Sequence, residues 1–283
     1  MIVGLLHNRI GFEEKEIMKE LSKRNVKVDI IDCRNLNFDL HDPSSFPHAD
    51  VFLQRCISYF KGLYVSAILE SEGFTVINPY ITTKICGDKL LTYLVLKQHN
   101  IPIPRTSISF GIEGALSSAE KMGFPVVIKP LVGSWGRLVA LATDTFSLKS
   151  ILESRETLGG PLHKIFYLQE YIKTNRDIRA LVVGDEVVAA MYRYVIDGDW
   201  RSNAHRGAHA EKAKISDDLQ DICLKISEIT HGKILGIDLI EMENQQLVVL
   251  EINHNPQFRK ISSVCSVNVA AKIAEFLVKF RKE

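Results

Sequence analysis

The chain opens on an apolar run, Ile2–Leu6, closed by the polar trio His7, Asn8 and Arg9. A helical pattern over Glu13–Arg24, opened by Gly11, leads to a second apolar run, Val26–Ile31. Asp50–Leu53, the amphipathic stretch Lys61–Glu70 and Thr75–Asn78 continue the alternation. Strands alternating with helices at this spacing predict a small parallel sheet covered by helices, an α/β unit that closes near Pro79–Lys84.

The pattern then changes. Asp88–His99 carries apolar residues at Leu90, Leu91, Leu94 and Val95, a helical face that Ile101-Pro102-Ile103-Pro104 terminates. Glu113–Met122 predicts another helix, ended by Gly123. Phe124–Pro130 and Arg137–Thr143 predict two strands joined by a loop over 131–136, and Phe166–Ile172 and Ile178–Val183 follow as strands. This mixture predicts an α+β lobe with antiparallel pairs. Farther on, Gly236–Met242 and Leu247–Asn253 flank Glu243-Asn244-Gln245-Gln246. A two-residue turn at Asn244-Gln245 sets Glu243 opposite Gln246 and, counting outward, Asp238 opposite Glu251. Glu251 and Asn253 then share one face, because side chains alternate with period two.

Composition narrows the classes. The 283 residues are 46% hydrophobic and 24% charged, a globular mixture long enough for two domains or one lobed domain. Collagen-like, disordered and disulfide-scaffold chains are excluded. Thirty-five Lys and Arg against 34 Asp and Glu leave a formal charge of +1, so no global basic field attracts nucleic acid. The five cysteines, Cys33, Cys56, Cys86, Cys223 and Cys265, form no CxxC pair. Their odd number and wide spacing argue against a disulfide framework or a zinc site and point to a cytoplasmic location. No apolar stretch approaches the roughly 18 residues of a membrane span, and Met1–Leu6 is too short for a signal-peptide core.

Several groups carry candidate chemistry. Like charges facing each other across a sheet destabilise it, and a buried uncompensated pair costs several kcal/mol. Asp238 opposite Glu251 therefore predicts a neutralising cation. Mg²⁺ suits such an oxygen set, since it takes few protein carboxylates and completes its shell from phosphate and water. A register slip, or exposure of Asp238 to solvent, leaves the pair without an ion. Lys129 ends the apolar run Pro125–Ile128 and needs either an anion or water. Lys89 opens a helix, where a cation opposes the dipole. Both can equally be ordinary surface lysines.

The loop Gly133-Ser134-Trp135-Gly136-Arg137 lacks the order of a P-loop. Its glycines still let backbone N–H groups approach an anion, as a flap over a polyphosphate would. A chain leaving its sheet at Tyr171–Ile172 exposes a C=O and an N–H side by side, a pair that can read the edge of adenine. The segment Arg193–Lys214 is locally basic, with Arg193, Arg201, Arg206, Lys212, Lys214, His205 and His209. It is either a solvated face or a hold for an anionic substrate. No Ser/His/Asp or Cys/His spacing supports covalent catalysis.

Taken in order, Lys89, Ile128-Lys129-Pro130 with its glycine loop, Gln169-Glu170-Tyr171-Ile172, Asp177-Ile178-Arg179, Asp238 and Glu251-Ile252-Asn253 resemble the ATP-grasp superfamily. The likeness lies in its branch of ribosomal-protein glutamate ligases and amino-acid–carrier-protein ligases, and covers nearly the whole chain. Cys86-Gly87-Asp88-Lys89, Gly133–Leu138, Phe166–Tyr171 and Asn253-His254 resemble in particular the LysX type, the alpha-aminoadipate–LysW ligases of carrier-protein lysine biosynthesis.

The resemblance implies an ATP-grasp fold of three subdomains: a Rossmann-like N-terminal domain over 1–86, a central lid lobe with the flap over 87–168, and a C-terminal antiparallel-sheet lobe over 169–283 that holds the metal and substrate. ATP and Mg²⁺ are the implied cofactors. Lys89 and Lys129 would contact the α- and β-phosphates, with Gly133, Ser134, Trp135, Gly136, Arg137, Leu138 and Val139 closing over them. Glu170, Tyr171 and Ile172, with Gln169 beside them, would hold adenine, and Asp177 the ribose. Arg193 and Asn203 match positions near the triphosphate, and Asp238, Glu251 and Asn253 match magnesium ligands. Lys129 with Arg179 or Arg193 would stabilise the transferring phosphoryl group.

On the substrate side the resemblance points to Asn203, Ala204, His205, Arg206, Asn255 and Phe258. Asn203-Ala204 matches the pair that accompanies aminoadipate. Glutamate-using relatives of the arginine branch share a Gly-Phe pair where this chain has Gln257-Phe258. The implied reaction joins alpha-aminoadipate to the C-terminal glutamate of an acidic LysW-type carrier, steered by residues 193–214. It takes place in a homodimer or homotetramer, with no nucleic acid or membrane involved. A glutamate–LysW ligase, another glutamate ligase of the family, and a non-catalytic nucleotide-binding module stay open as alternatives.

Overall fold

Three sheets organise the computed structural model, which describes residues 1–133, 136–196, 200 and 209–280. The first unit comprises β1 (Ile2–His7), α1 (Phe12–Ser22), β2 (Lys27–Asp32), β3 (Val51–Gln54), α2 (Tyr59–Ser71), β4 (Val76–Ile77) and α3 (Tyr80–Gly87). Its strands are parallel in the order β2-β1-β3-β4. Alternation along β1 splits its side chains between two layers. Val3 and Leu5 meet Ile17 and Leu21 of α1, while Leu6 joins Val65 and Leu69 of α2.

The middle of the chain builds α4 (Lys89–Gln98), β5 (Thr106–Ser109), α5 (Ile112–Met122), β6 (Val126–Lys129), β7 (Ala140–Ala142), α6 (Thr145–Leu158) and β8 (Phe166–Glu170). These strands form an antiparallel sheet, β5-β8-β6-β7. Ala115 and Ala119 of α5 and Leu148 and Leu152 of α6 bury one face of it, against Val126, Ile128, Phe166 and Leu168. Asp88 caps α4 by accepting hydrogen bonds from the N–H groups of Leu90 and Leu91. That cap sets where Lys89 starts.

The last unit contains β9 (Arg176–Val183), β10 (Glu186–Tyr194), β11 (Ala210–Lys212), α7 (Asp217–Thr230), β12 (Ile234–Glu241), β13 (Leu247–Asn253), α8 (Arg259–Cys265) and α9 (Val269–Lys279). Its antiparallel sheet runs β11-β10-β9-β12-β13. Leu219, Cys223 and Ile226 of α7 cover one face. On the other, Ile261, Ile273 and Leu277 of α8 and α9 share one continuous core with Val3 and Leu5 of β1 and with α1. The first and last units are therefore packed as one body.

The β12–β13 hairpin departs from the expected turn. Met242 N–H donates to Gln246 O and Gln245 N–H to Met242 O, so Glu243–Gln245 form a three-residue loop with Gln245 left-handed at φ +66°. A two-residue turn of the favoured kind needs positive φ at both central positions, which Asn244-Gln245, lacking glycine, resists. Glu241 consequently faces Leu247 and Leu239 faces Val249. A bulge between Asp238 and Leu239 then shifts the pairing by one residue, and Asp238 still lies opposite Glu251. Two displacements of one residue cancel.

One buried amide joins the first and last units. Asn78, which follows β4, accepts from the N–H groups of Lys233 and Ile234 at 2.7 and 2.9 Å. It donates to the carbonyls of Ile234 and His254, both at 2.7 Å. Nearby, buried Arg55 donates to Glu14 Oε1 at 3.0 Å and to Pro256 O, and Glu13 accepts from the N–H groups of Phe258 and Arg259 at the start of α8. Asn78→Ala would strand four buried backbone groups at once. The expected loss is about 3 kcal/mol or more, read as a lowered urea midpoint.

Candidate functional site

Register on the five-stranded sheet brings the charged residues together at two levels, two residues apart along β9. Arg193 on β10 lies opposite Asp177 on β9, Arg179 on β9 opposite Asp238 on β12, and Asp238 opposite Glu251 on β13. Each arginine thus faces a carboxylate on the neighbouring strand, and Asp238 also faces a second carboxylate. Arg193 grips Asp177 in a fork, Nε to Oδ1 at 2.7 Å and Nη2 to Oδ2 at 2.5 Å, and the same Nη2 reaches Asp238 Oδ1 at 2.8 Å. Arg179 Nη2 donates to Asp238 Oδ2 at 2.9 Å, and its Nε lies 2.5 Å from Oδ1. Asp177 and Asp238 are only 2% and 3% exposed.

Burial opposes charge throughout this row. It pushes the Asp238 carboxyl up to about 6, against the pull of Arg179 and Arg193. Burial also acts against the Arg193 cation, yet Asp238 and Asp177 outweigh it and raise its pKa above the ordinary arginine range. Arg179 and Arg193 compensate Asp238, and Lys89 Nζ approaches Glu251 Oε1 at 3.7 Å. Among the described residues there is no cluster of three or more His, Cys, Asp or Glu side chains fit for a metal. The oxygen donors at hand are two carboxylates, Asp238 and Glu251, and the side-chain amide of Asn253. Asn253 Nδ2 makes a long 3.5 Å contact to Gly236 O.

The antiparallel sheet of the middle unit supplies the facing wall. Lys129, at the end of β6, donates to Gln169 Oε1 at 2.5 Å. Gln169 Nε2 is in turn held by Thr106 Oγ1 and the Tyr167 hydroxyl, which fixes the amide with its oxygen toward the lysine. Gln169 thereby positions Lys129, a role its place in the sequence does not reveal. Burial brings the Lys129 ammonium down to about 8, with nearby Lys89 adding to the effect and Glu251 opposing it. Lys89, first residue of α4, donates to Gly133 O at 2.8 Å and so ties the helix start to the glycine loop.

Between the two walls lies a cleft open on one side. Lys89, Lys129, Arg137 and Arg193 line it together with Asp177, Asp238 and Glu251, and the loop contributes Gly133, Gly136 and Val139. Gln169, Glu170, Tyr171 and Ile172 form its rim where β8 ends and the chain leaves the sheet, and Val127, Ile240 and Leu250 give it an apolar surface. A cleft apolar at one part and cationic at another offers the two surfaces that a flat heterocycle carrying a polyphosphate would need.

Other expected residues fall elsewhere. Arg179 supports Asp238 from beside the cleft. Leu138, left-handed at φ +59°, is exposed. Asn255 Nδ2 donates to Cys56 O at the junction of the first and last units. Phe258 is 1% exposed and packs in the shared core rather than on a cleft wall. Arg193 is buried on a strand, not part of a solvated basic face. Ser134, Trp135, Asn203, Ala204, His205 and Arg206 lie outside the described residues. Two contributors escaped the sequence pattern. Trp200 stands edge-on to Tyr171 at 6.1 Å, and Arg155 of α6 donates to the carbonyls of Leu138 and Ile128, pinning the end of the glycine loop. Neither sits in a motif; only the packing of α6 and the ring contact of Trp200 with Tyr171 bring them in.

Comparison with known proteins agrees with this geometry. Residues 86–277 match the model of the RimK-like ATP-grasp domain, and residues 3–85 that of the LysX preATP-grasp domain. The chain is 36% identical over 282 residues to a glutamate–LysW ligase ArgX of Sulfurisphaera tokodaii, covering 98% of each. It is 37% identical over 265 residues to an alpha-aminoadipate–LysW ligase LysX of Saccharolobus solfataricus, covering 93% of this chain and 96% of that one. Among solved structures, a RimK-domain ATP-grasp protein of Sphaerobacter thermophilus superimposes with a TM-score of 0.82 at 24% identity, covering 98% of this chain and 99% of that one.

Lys129 gives a signed prediction. Its pKa in the folded protein lies below the unfolded value of about 10.5, so its contribution to stability is present above that value and is lost as pH falls through about 8. Lys129→Met removes the buried cation. The variant should exceed the parent by about 2 kcal/mol at pH 7, with the gap closing toward pH 10, measured by thermal unfolding at both pH values.

Proposed function

The chain belongs to the RimK-like ATP-grasp family, and on that premise we propose that it is an ADP-forming carboxylate–amine ligase joining the α-amino group of alpha-aminoadipate to a LysW-type carrier protein. The acceptor is the side-chain carboxyl of the carrier's C-terminal glutamate. One observation carries this reading: Lys89 and Lys129 converge on the opposed carboxylates Asp238 and Glu251 in a cleft whose other part is apolar.

In this reading the exposed backbone around Glu170, Tyr171 and Ile172 meets the adenine edge, with Asp177 toward the ribose. Lys89 and Lys129 neutralise phosphate oxygens, and the loop from Gly133 to Val139 covers them. The γ-phosphoryl group passes to a carrier carboxylate oxygen and ADP leaves. The amine nitrogen then attacks the acyl carbon, phosphate leaves, and the amide forms. The chain contributes orientation and charge rather than a nucleophile. Arg193, locked to Asp177, and Arg179 keep Asp238 aligned and lend positive charge beside the transferring group.

The oxygen donors of Asp238, Glu251 and Asn253 suit Mg²⁺, whose shell would be completed by phosphate oxygens and water. When bound, the ion supplies charge neutralisation at the phosphates. Part of the Asp238–arginine contact must open to admit it.

A second reading has a specific basis. The glutamate–LysW ligase of Sulfurisphaera tokodaii is as similar to this chain as the aminoadipate enzyme, so glutamate is the alternative amino acid. For aminoadipate speaks the Gln257-Phe258 pair, which lacks the glycine of the arginine branch.

Mass spectrometry of the carrier after incubation with ATP, Mg²⁺ and equal amounts of both amino acids decides between them. We expect the carrier to gain one aminoadipate residue. A gain of glutamate instead selects the second reading, and absence of ADP release with either amino acid removes both. Glu251→Ala and Lys129→Ala should each lower ADP release by about 100-fold or more while far-UV circular dichroism is retained. Arg155→Ala, which frees the loop end, should raise the KM for ATP about tenfold, the equivalent of one lost hydrogen bond, with little change in kcat.

A further inference from the structure

Two cysteines meet at the edge of the parallel sheet, far along the chain from each other and from the cleft residues. Strands β2 and β3 flank β1, so the segments leaving their ends run side by side over the end of β1. The first of these segments begins with Cys33, and the second brings Cys56 two residues after β3. The sulfurs are 2.7 Å apart, and the residues are 7% and 2% exposed. A disulfide needs about 2.05 Å between its sulfurs. The two side chains point at each other in direct contact, so that a small approach closes the bond.

Both backbones are pinned. Cys33 N–H donates to His7 O at 2.7 Å, and Cys56 N–H donates to Gln54 Oε1 at 3.1 Å. These bonds hold the two Cα atoms at the same place in the fold, so that closure needs only side-chain adjustment.

We propose that Cys33 and Cys56 are a modification site, closed by hydroperoxides into an intramolecular disulfide that ties the ends of β2 and β3 together. Cys33 acts first, because the hydrogen bond from Cys56 holds its thiol below the ordinary range, while the same contact and burial hold Cys56 above it. The Cys33 sulfur attacks an oxygen of the hydroperoxide and the O–O bond breaks. Water or an alcohol leaves, and Cys33 becomes a sulfenic acid. The Cys56 sulfur then attacks the Cys33 sulfur. The S–S bond forms, the S–O bond breaks, and water departs with the Cys56 proton. The thiols lose two electrons and the hydroperoxide gains them.

The other cysteines stand apart from the pair. Cys223 is buried beneath the five-stranded sheet and Cys265 donates to Ala190 O at 3.1 Å. An odd cysteine count excludes a full framework but leaves room for a single bond. Closing it constrains the unfolded chain between residues 33 and 56. It also stiffens the strand end where Arg55 binds Pro256 O and Cys56 O receives Asn255.

The test treats the full-length protein with hydrogen peroxide, alkylates it under denaturing conditions and maps tryptic peptides by mass spectrometry. Residues 28–34 and 56–61 fall in separate peptides, each with one of the two cysteines. The expected result is a linked pair of these peptides that dithiothreitol separates, with Cys86, Cys223 and Cys265 alkylated. The oxidised protein should also unfold several degrees above the reduced one. Cys56→Ser should leave Cys33 as a sulfenic acid that dimedone labels. Full alkylation of both cysteines after peroxide, or over-oxidation of Cys33 in the parent protein without a linked peptide, overturns the proposal. The peptide map of the parent decides even where the variant fails to fold.

Discussion

Two guanidinium groups shared between two buried carboxylates hold the centre of this molecule in place. Asp177, Arg179, Arg193 and Asp238 stand on three adjacent strands, and each charge depends on a neighbour for its compensation. Removing one member of such a buried set leaves an uncompensated charge and costs about 3–5 kcal/mol. The row also fixes the orientation of Asp238, the residue through which the sheet reaches both Glu251 and the cleft. Sheet register and site electrostatics are thus one constraint seen at two scales.

The facing wall is built on the opposite principle. Lys129 is drawn into a half-buried position with a single strong partner, Gln169, and its charge is weakly supported there. A stable fold alone would favour an apolar residue at the end of β6. Retaining a cation where burial disfavours it makes sense for a site that meets an anion, since that anion supplies the missing compensation. The cleft accordingly pairs a sheet whose arginines grip its buried aspartates with a wall whose lysine is weakly supported.

Legibility differed from residue to residue for identifiable reasons. The facing of Asp238 and Glu251 came from counting outward from a turn that the chain does not make; a bulge near Asp238 restored the count that the longer loop had removed. Arg193 sits in a run of basic residues that resembles a solvated face, yet it pairs with Asp177 on β9 and is buried. Phe258 follows the motif of Glu251 to Asn253 closely in the chain, but the start of α8 turns it into the core against Phe12. Asn78 and Arg155 carry no motif at all, and Gln169 stands in one that does not show its hold on Lys129, because these roles lie in contacts with segments far away in the sequence.

Local order along the chain was sufficient to reveal a parallel α/β unit, an α+β lobe and a charged hairpin. Those features rest on period and neighbour chemistry, which a linear reading contains. Tertiary structure alone decided that Arg179 and Arg193 reach Asp238. It also decided that α8 and α9 fuse the first and last units into one core, and that Cys33 and Cys56 touch. The reason is physical: each of these depends on strand order and register between distant segments, and such pairings are set by the packing of the whole chain.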